Sequence, residues 1–158
     1  MMLRFRKMMA VLLAAALTLT MLTACGGGGS SRKSVNEKVK LTNDINDFLT
    51  GRYPKVEYDK ALDEEAETIQ ASYIKNKDTT NDILKKSYRW MTKVEINEET
   101  SDKAKAVAEE VEKYMVFADP KNYDWSIGYY IVPKTDKDNN VIGKDIYVML
   151  AKKEKAKK

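Results

Sequence analysis

Two apolar runs near the end of the chain restrict its fold more than any other feature. Residues 125–132 and 145–151 carry aromatic and aliphatic side chains on both alternating sets of positions, a pattern typical of strands that are buried on both faces. The polar segment 135–140 between them has the composition of a turn. We therefore expect an antiparallel hairpin, whose two apolar faces need helices on both sides of the sheet.

Two amphipathic segments supply such helices. The more regular one follows Ser101 and Asp102, keeps alanine, valine, tyrosine and methionine on one face, and is closed by Pro120. The other follows Asp59, a residue type that caps helix N-termini, and has acidic residues near its start. Both are predicted to pack an apolar stripe against the hairpin.

The remaining elements are shorter. Apolar residues recur at helical spacing over residues 35–49, and the segment 52–58 is predicted to be an extended connection or a short edge strand. A third helix, capped within residues 79–81, is predicted to reach Met91, and residues 94–96 alternate as a brief strand does.

Together these elements predict one α+β domain over residues 35–153. We expect an α-β-α sandwich, in which a small antiparallel sheet of about three strands is covered by helices on both faces. The length of this segment suits a single compact domain and is too short for two.

Four stretches carry a family pattern. Residues 43–49 read NDINDFL and are followed by Arg52, residues 56–66 read VEYDKALDEEA, residues 125–131 read WSIGYYI, and residues 146–152 read IYVMLAK. The first part resembles the opening helix, the Arg-containing loop and the second helix of CAP (SCP-like extracellular) domains. The last two stretches are similar to the final hairpin of that family.

The resemblance implies a sandwich with a cleft, which many members of the family line with two histidines and two acids. This chain contains no histidine, so no site residue of the family can be assigned to it. The regions where those histidines would fall, 75–82 and 117–123, hold Lys, Asn, Asp and Thr. The resemblance therefore implies a degenerate member whose cleft binds without that metal, or whose surface carries the function.

The absence of histidine also excludes common chemistry. Ser-His-Asp and Cys-His arrangements need an imidazole, and the usual zinc sites need imidazole or several thiolates. Carboxylate pairs stay open as an alternative, with Glu64 and Glu67 or Glu95 and Glu98 as candidates, although solvated helix or strand surface explains them more simply. We predict no catalytic residue, no metal site and no cofactor.

Three weaker motifs have simpler structural explanations. Asp136, Asp138 and Asn140 have the alternate spacing of a calcium loop but lack its Gly and its final Glu, which favours a hairpin turn. Ser72 and Lys75 match Ser-x-x-Lys without the companion motifs of penicillin-recognising enzymes. An aromatic group at the hairpin is interpreted as sheet core and rim, with stacking on a sugar or peptide as the alternative; its members are Tyr123, Trp125, Tyr129, Tyr130 and Tyr147.

The N-terminus has the form of an export signal. Arg4, Arg6 and Lys7 precede the apolar run 10–22, which is shorter than the roughly 20 residues that span a bilayer. The sequence Leu-Thr-Ala-Cys that ends at Cys25 resembles the lipobox of bacterial lipoproteins.

This resemblance implies diacylglyceryl modification of Cys25, the only cysteine of the chain. We predict a signal peptide at residues 1–24 and a lipidated cysteine with a Gly/Ser-rich tether at residues 25–34. Two acyl chains hold a protein on a membrane far longer than one does.

The charge balance argues against nucleic acid as a partner. The formal net charge is +4, and three of those charges belong to Arg4, Arg6 and Lys7 of the signal, so the mature chain lacks the concentrated positive surface that nucleic acid binding needs. Lysines from Lys152 onward are predicted to follow the last strand, and residues 154–158 are predicted to be a solubilising basic tail. Contact of this tail with an anionic polymer or lipid is the alternative.

These observations predict a bacterial lipoprotein on the extracytoplasmic face of the cell membrane, held there through Cys25. We expect its domain to be a non-catalytic CAP-like module that binds an envelope protein, peptide or glycan. The alternative is an envelope hydrolase that acts on peptidoglycan or peptides with carboxylates alone.

Overall fold

The computed structural model describes residues 32–156 of the 158-residue chain. The chain divides into two compact units, Met1–Glu37 and Lys38–Lys158. Of the first unit the structure describes residues 32–37, which are helical. The second unit contains the sheet and the helices packed on it.

The second unit is a mixed four-stranded sheet between helices. In chain order the elements of this unit are α1 (residues 38–49), β1 (Val56–Tyr58), α2 (Lys60–Lys75), α3 (Lys77–Lys85), β2 (Arg89–Asn97), α4 (Lys103–Met115), a 3-10 helix (Pro120–Asn122), β3 (Tyr123–Thr135) and β4 (Val141–Glu154). The strand order is β1-β3-β4-β2, with β1 parallel to β3 and the other pairs antiparallel. The α+β class and the final hairpin are confirmed. The sequence predicts about three antiparallel strands, whereas the structure has four. The fourth is β1, which lies in the segment predicted to be an extended connection or a short edge strand and which pairs parallel to β3.

The predicted caps start the two main helices. The carboxylate of Asp59 accepts the N–H of Ala61 at 2.9 Å at the start of α2, and that of Asp102 accepts the N–H of Lys105 at 3.0 Å at the start of α4. Each cap satisfies one of the backbone donors that a helix N-terminus leaves unpaired. Both predicted start positions are therefore confirmed.

The prediction for the third helix is wrong at both ends. Its N-cap is Asn76, whose side chain accepts the N–H of Thr79 at 3.0 Å, and the helix ends at Lys85. Tyr88 has a left-handed backbone with φ of 58°, which breaks the helical path. Met91 consequently lies in strand β2, where its backbone is part of the sheet.

The sheet separates two hydrophobic cores. Alternate residues of the central strand β4 point to opposite faces, so Val148 belongs to one core and Met149 to the other. The larger core lies under α1 and α4; its buried members are Ile45, Leu49, Val56, Val94, Ile96, Ala104, Val107, Ala108, Val111, Met115, Trp125, Ile127, Tyr129, Ile146, Val148 and Leu150. The smaller core lies under α2 and α3; its buried members are Leu62, Ala66, Tyr73, Leu84, Met91, Tyr147 and Met149. Helices on both faces are therefore confirmed.

Both edges of the sheet are capped by an asparagine side chain. Asn46 of α1 donates to the carbonyl of Val56 at 2.9 Å and accepts its N–H at 2.8 Å. Asn81 of α3 makes the same pair of bonds with Met91, both at 3.0 Å. An amide side chain thus replaces a neighbouring strand at one position of β1 and at one position of β2.

Helix α2 approaches β3 closely at Gly128. A Cβ atom at this position would lie 2.5 Å from Cβ of Leu62 and 2.6 Å from the backbone nitrogen of Asp63. Only glycine permits this separation of helix and strand. The close approach places the first turn of α2, with Asp63, directly over the sheet.

Candidate functional site

A cationic cleft opens where the turn after α1 meets the start of β3 and the end of β4. Its volume is about 290 Å³, and its lining residues are Gly51, Arg52, Tyr53, Pro54, Lys121 and Lys155. Gly51 adopts φ of 83°, which turns the chain away from α1. The N–H groups of Arg52 and Tyr53 then donate to the carbonyl of Leu49 at 3.2 and 3.0 Å, which closes the turn.

The other side of the cleft is fixed by the last residues of the fold. The N–H of Lys155 donates to the carbonyl of Asn122 at 3.2 Å, and its ammonium donates to the carbonyl of Lys121 at 2.9 Å. Trp125 secures the same segment, since its indole N–H donates to the carbonyl of Pro120 at 2.9 Å. Residues 121 and 155 are therefore held beside each other although they are far apart in sequence.

The charges around the cleft are mostly positive. The guanidinium of Arg52 pairs with Glu112 of α4 at 2.6 Å and also donates to the carbonyl of Phe48 at 3.1 Å. Lys155 donates to a neutral carbonyl, and the ammonium of Lys121 has no acceptor among residues 32–156. Three cations with one acid between them favour an anionic ligand, to which Arg and Lys can donate several hydrogen bonds.

An exposed aromatic residue belongs to the loop that supplies Lys121. Phe117 is 89% exposed, and its neighbour Val116 is 57% exposed. The turn is ordered by a hydrogen bond from the N–H of Phe117 to the carbonyl of Tyr114 at 3.3 Å and by Asp119 in a left-handed conformation. An exposed phenyl ring on a hydrogen-bonded turn is available for contact with a partner.

A buried carboxylate lies under the first turn of α2. Asp63 accepts the ammonium of Lys38 at 2.7 Å, the hydroxyl of Tyr58 at 2.6 Å and the N–H of Tyr129 at 2.6 Å. The hydroxyl of Tyr129 also shares a hydrogen bond of 2.8 Å with Thr42. All of these contacts hold α1, β1, α2 and β3 together, so the carboxylate is committed to the fold.

Burial changes the acidity of the two tyrosines in this network. Desolvation, followed by the hydrogen bond to Asp63, raises the pKa of Tyr58 far above its ordinary value of 10.0. Desolvation also raises the pKa of Tyr129. Their rings stack with centroids 6.4 Å apart. Both phenols therefore stay neutral at physiological pH and serve as hydrogen-bonding core residues.

Four charged residues form an ion network on the opposite part of the sheet. Lys93 contacts Glu95 at 2.5 Å and Asp145 at 3.8 Å, and Lys134 contacts the same two acids at 2.9 and 3.1 Å. Hydrogen bonds from the two lysines lower the pKa of Glu95 to about 2, and the bond from Lys93 has the larger effect. A carboxylate with this pKa does not donate a proton at neutral pH, so Glu95 is unsuited to act as a general acid.

The other acidic candidates lie on exposed surface. Glu64 and Glu67 are exposed on α2, and Glu98 is exposed after β2. The carboxylate of Asp136 accepts the N–H groups of Asp138 and Asn140 at 2.8 and 2.9 Å, and the predicted hairpin turn between β3 and β4 is confirmed. Within residues 32–156, no group of three or more Cys, Asp or Glu side chains is arranged to hold a metal ion.

The remaining sequence candidates have structural places or lie outside the described part. Ser72 and Lys75 are exposed near the end of α2. Cys25, the predicted lipidation site, lies outside the described residues. The prediction that the lysines from Lys152 follow the last strand is wrong for Lys152 and Lys153, because β4 pairs with β3 through Glu154, and it is confirmed for Lys155. Lys155 in turn lines the cleft.

The aromatic group at the hairpin is mainly core, as predicted. Trp125, Tyr129 and Tyr147 are buried, whereas Tyr123 and Tyr130 are half-buried at the rim. The sequence argument placed Tyr114 on the apolar face of α4 but missed Trp90, whose ring stacks on that of Tyr114 with centroids 4.7 Å apart. Trp125 lies edge-on to Tyr114. Trp90 falls within the stretch that was predicted to be the third helix, so its place in strand β2 was not foreseen.

The two regions that the CAP resemblance singles out have different neighbours. Residues 75–82 contact β2 through Asn81, whereas residues 117–123 contribute Lys121 to the cationic cleft. The cleft also contains Arg52, which the resemblance places in a loop after the first helix.

Comparison with known proteins yields no match: no family model, no curated protein and no solved structure is similar to the chain. In the part of the chain that the structure covers, no helix has the length and apolar character needed to cross a bilayer.

Proposed function

We propose that the chain is a lipoprotein of the bacterial cell surface whose α+β domain is a non-catalytic, CAP-like binding module for an anionic envelope ligand. The lipobox-like residues before Cys25 support the anchor, and the helix-sheet-helix layering is the arrangement that the CAP resemblance implies. The observation that carries the binding role is the open cleft lined by Arg52, Lys121 and Lys155.

The state of the carboxylates favours binding over catalysis. Asp63 is occupied by three donors, and Glu95 is held as an anion by two lysines. A hydrolase that uses carboxylates alone needs one acid with a raised pKa beside a second carboxylate. Glu95 is unsuited to be that acid, and the oxygens of Asp63 already accept three hydrogen bonds within the fold.

The chemistry of the cleft defines its ligand. A phosphate or carboxylate group can receive hydrogen bonds from Lys121 and Lys155, and Tyr53 offers an aromatic wall. The cleft is open, so it suits a group on a polymer or peptide better than an enclosed small molecule. Phosphate-bearing and carboxylate-bearing polymers of the envelope are the ligands that fit.

A calorimetric titration tests this proposal. The mature protein, residues 25–158, is titrated with poly(glycerol phosphate), with a muramyl peptide that carries only carboxylates, and with a neutral chitin oligosaccharide. We expect salt-sensitive binding of an anionic ligand, weakened roughly tenfold by the double change Lys121→Gln and Lys155→Gln, since each exposed ion contact contributes up to about 1 kcal/mol.

The matched control removes two lysines elsewhere, Lys60→Gln and Lys137→Gln, and is expected to bind normally. An equal loss of ligand affinity in both double variants would show that binding depends on the net charge of the protein and not on the cleft. Turnover of peptidoglycan or peptide that disappears on a single Glu→Gln change would replace the binding role with the hydrolase alternative. For the anchor, mass spectrometry of the mature protein is expected to show a diacylglyceryl group on Cys25, and a free thiol there would refute it.

A further inference from the structure

Strand β2 leaves part of its outer edge unpaired. In an antiparallel sheet, the N–H and C=O groups of one residue point to the same side of the strand, and those of the next residue point to the opposite side. The carbonyl of Ile96 faces β4, because a Cβ atom on Gly143 would lie 2.4 Å from it. The backbone of Met91 points the other way, toward Asn81 of α3. The odd-numbered residues of β2 therefore direct their N–H and C=O groups away from the sheet.

Of the four outward residues from Met91 to Asn97, two have partners for their backbone groups and two do not. Asn81 holds both groups of Met91, and Thr100 closes a turn on Asn97, with bonds of 3.1 Å to its N–H and its carbonyl. For Lys93 and Glu95 the described part of the chain supplies no partner to the outward N–H or C=O. The free edge is thus a window of five residues, 92–96, bounded by a closed position on each side.

The free window lacks the usual protection of an edge strand. The nine-residue strand is not interrupted by proline, although short length, proline or projecting lysines commonly prevent edge pairing. The ammonium of Lys93 bends over the sheet to Glu95 and Asp145. With Lys134, the network contains two cations and two anions, so it carries no net charge to repel a second strand.

We propose that the window pairs with the same window of a second copy of this chain, antiparallel and with the two-fold axis at Val94. In this register Lys93 lies opposite Glu95 of the second copy, and Glu95 lies opposite its Lys93. Both are hydrogen-bonded pairs, so all the free N–H and C=O groups of the two windows find partners. The two sheets of four strands join into one continuous sheet.

Charge selects this register over its neighbours. A shift by two residues places Lys93 opposite the second Lys93 or Glu95 opposite the second Glu95, and like charges directly opposite each other destabilise a strand pair. A shift by one residue places the outward N–H and C=O groups of one copy opposite residues whose N–H and C=O groups point toward their own sheet. It also places the side chains of the second copy on the opposite face of the joined sheet. The self-complementary sequence Lys-Val-Glu at residues 93–95 is therefore specific for a second copy.

The contact is small, so the dimer is expected to dissociate on dilution. This edge is separate from the cationic cleft, whose lining residues belong to the turn after α1, to the 3-10 helix before β3 and to the residue after β4. Dimerisation can consequently be tested without reference to the ligand.

Register-specific disulfides test the proposal in the full chain. Lys93→Cys and Glu95→Cys chains are mixed and oxidised, with Lys137→Cys chains and the unchanged chain as controls. Directly opposite residues of a hydrogen-bonded pair are about 5.5 Å apart at Cα, within disulfide range, whereas two copies of the same variant place their thiols out of register. We expect at least tenfold more cross-linked dimer from the mixture than from either variant alone.

A second measurement uses sedimentation of the full chain in detergent at several concentrations. Glu95→Pro removes an outward N–H without touching the ladder to β4 and is expected to abolish the dimer, while Glu95→Gln keeps that N–H and is expected to retain part of it. Circular dichroism of both variants verifies that the fold persists. If Glu95→Pro unfolds the chain, the disulfide experiment decides alone.

Several results would overturn the proposal. In the disulfide experiment, these are a mixture that cross-links no better than Lys137→Cys, or single variants that cross-link with themselves as well as the mixture does. In the sedimentation experiment, it is an unchanged chain that stays monomeric at the highest concentration. Capture of a different protein by the Lys93→Cys thiol in cells, in place of a second copy, would assign the edge to an extended segment of that protein.

Discussion

The two edges of the sheet use the same device with different results. At β1, Asn46 pairs with both backbone groups of Val56, and at β2, Asn81 pairs with both groups of Met91. β1 has three residues, so one amide covers most of its edge. β2 has nine, so the same amide covers one position and leaves others open. One side-chain cap therefore protects a short edge strand well, and the share of the edge that it covers falls as the strand becomes longer.

The surroundings of the two edges differ as well. Near β1, polar groups are buried: Asp63, Lys38 and the two tyrosines lie between helix and sheet. Near β2, the charged groups lie on the surface, where Lys134 is partly exposed and Glu95 is largely exposed. We therefore expect changes on the β1 side to cost stability, and charge changes on the β2 side to alter association and titration more than folding.

The largest effect is expected for Gly128→Ala, on the β1 side. The added methyl would overlap Leu62 and the backbone of Asp63, so α2 would have to move, at a cost of about 3 kcal/mol in the free energy of unfolding. Gly143→Ala at the β2 side is the comparison, because its methyl meets the carbonyl of Ile96 near the end of a ladder that can shift. Urea denaturation that shows an equal or smaller loss for Gly128→Ala would contradict this difference.

The next effect compares the two caps directly. Asn81 is 5% exposed and Met91 is fully buried, so Asn81→Ala leaves a buried N–H and carbonyl unpaired and should lower the free energy of unfolding by about 2 to 3 kcal/mol. Asn46 is only half-buried, and water can replace part of its role in Asn46→Ala, for which we expect about 1 kcal/mol. Thermal and urea unfolding of both variants measure the difference, and a reversed order would break the comparison.

Asp63→Asn tests the buried polar network. The amide keeps an acceptor for the N–H of Tyr129 but leaves the nearly buried ammonium of Lys38 without an anionic partner, at an expected cost of about 2 kcal/mol. The pKa of Tyr58 should also fall, since the carboxylate contributes to its rise after burial. Absorbance titration of the phenols checks this, with Asp59→Asn as a surface control.

The same tyrosines set an alkaline limit. The pKa values of Tyr58 and Tyr129 are raised in the folded state, so their contribution to stability is complete below the ordinary tyrosine pKa of 10.0 and is lost as the pH rises above it. Unfolding monitored between pH 8 and pH 11 should show this loss, and Tyr129→Phe should reduce it. Stability that rises above pH 10 would exclude the buried neutral phenols.

The smallest effect concerns Glu95. Lys93 and Lys134 lower its pKa from 4.5 to about 2, so its contribution to stability is present above pH 4.5 and is lost as the pH falls toward 2. Carbon NMR of the Glu95 carboxyl should give the low pKa, and Lys93→Gln should raise it more than Lys134→Gln does. A titration near 4.5 in the unchanged protein would show that the ion network does not persist in solution.

Local sequence patterns were sufficient to predict the elements whose stabilising contacts lie between residues close together in sequence. The caps at Asp59 and Asp102, the stripe of α4 and the hairpin turn at Asp136 are all readable because cap, period and turn chemistry lie within a few positions of each other. The two-sided apolarity of β3 and β4 likewise predicts helices on both faces.

The elements that depend on distant partners could not be predicted in this way. β2 starts at Arg89 because the left-handed Tyr88 ends the preceding turn and because β4 supplies the partner strand. Asn81 reads as a helix cap in sequence, yet its amide serves the sheet edge. The cleft joins residues 51–54, 121 and 155, and no local pattern brings these together.

The position of β4 has a consequence for the order of events during synthesis. This strand lies in the middle of the sheet, between β3 and β2, yet it comes last of the described elements. Strand β2 cannot pair until its partner strand has been synthesised, since Arg89 pairs with Ala151. A growing polypeptide therefore cannot complete either hydrophobic core early. Both cores therefore form only after the whole of β4 has been synthesised.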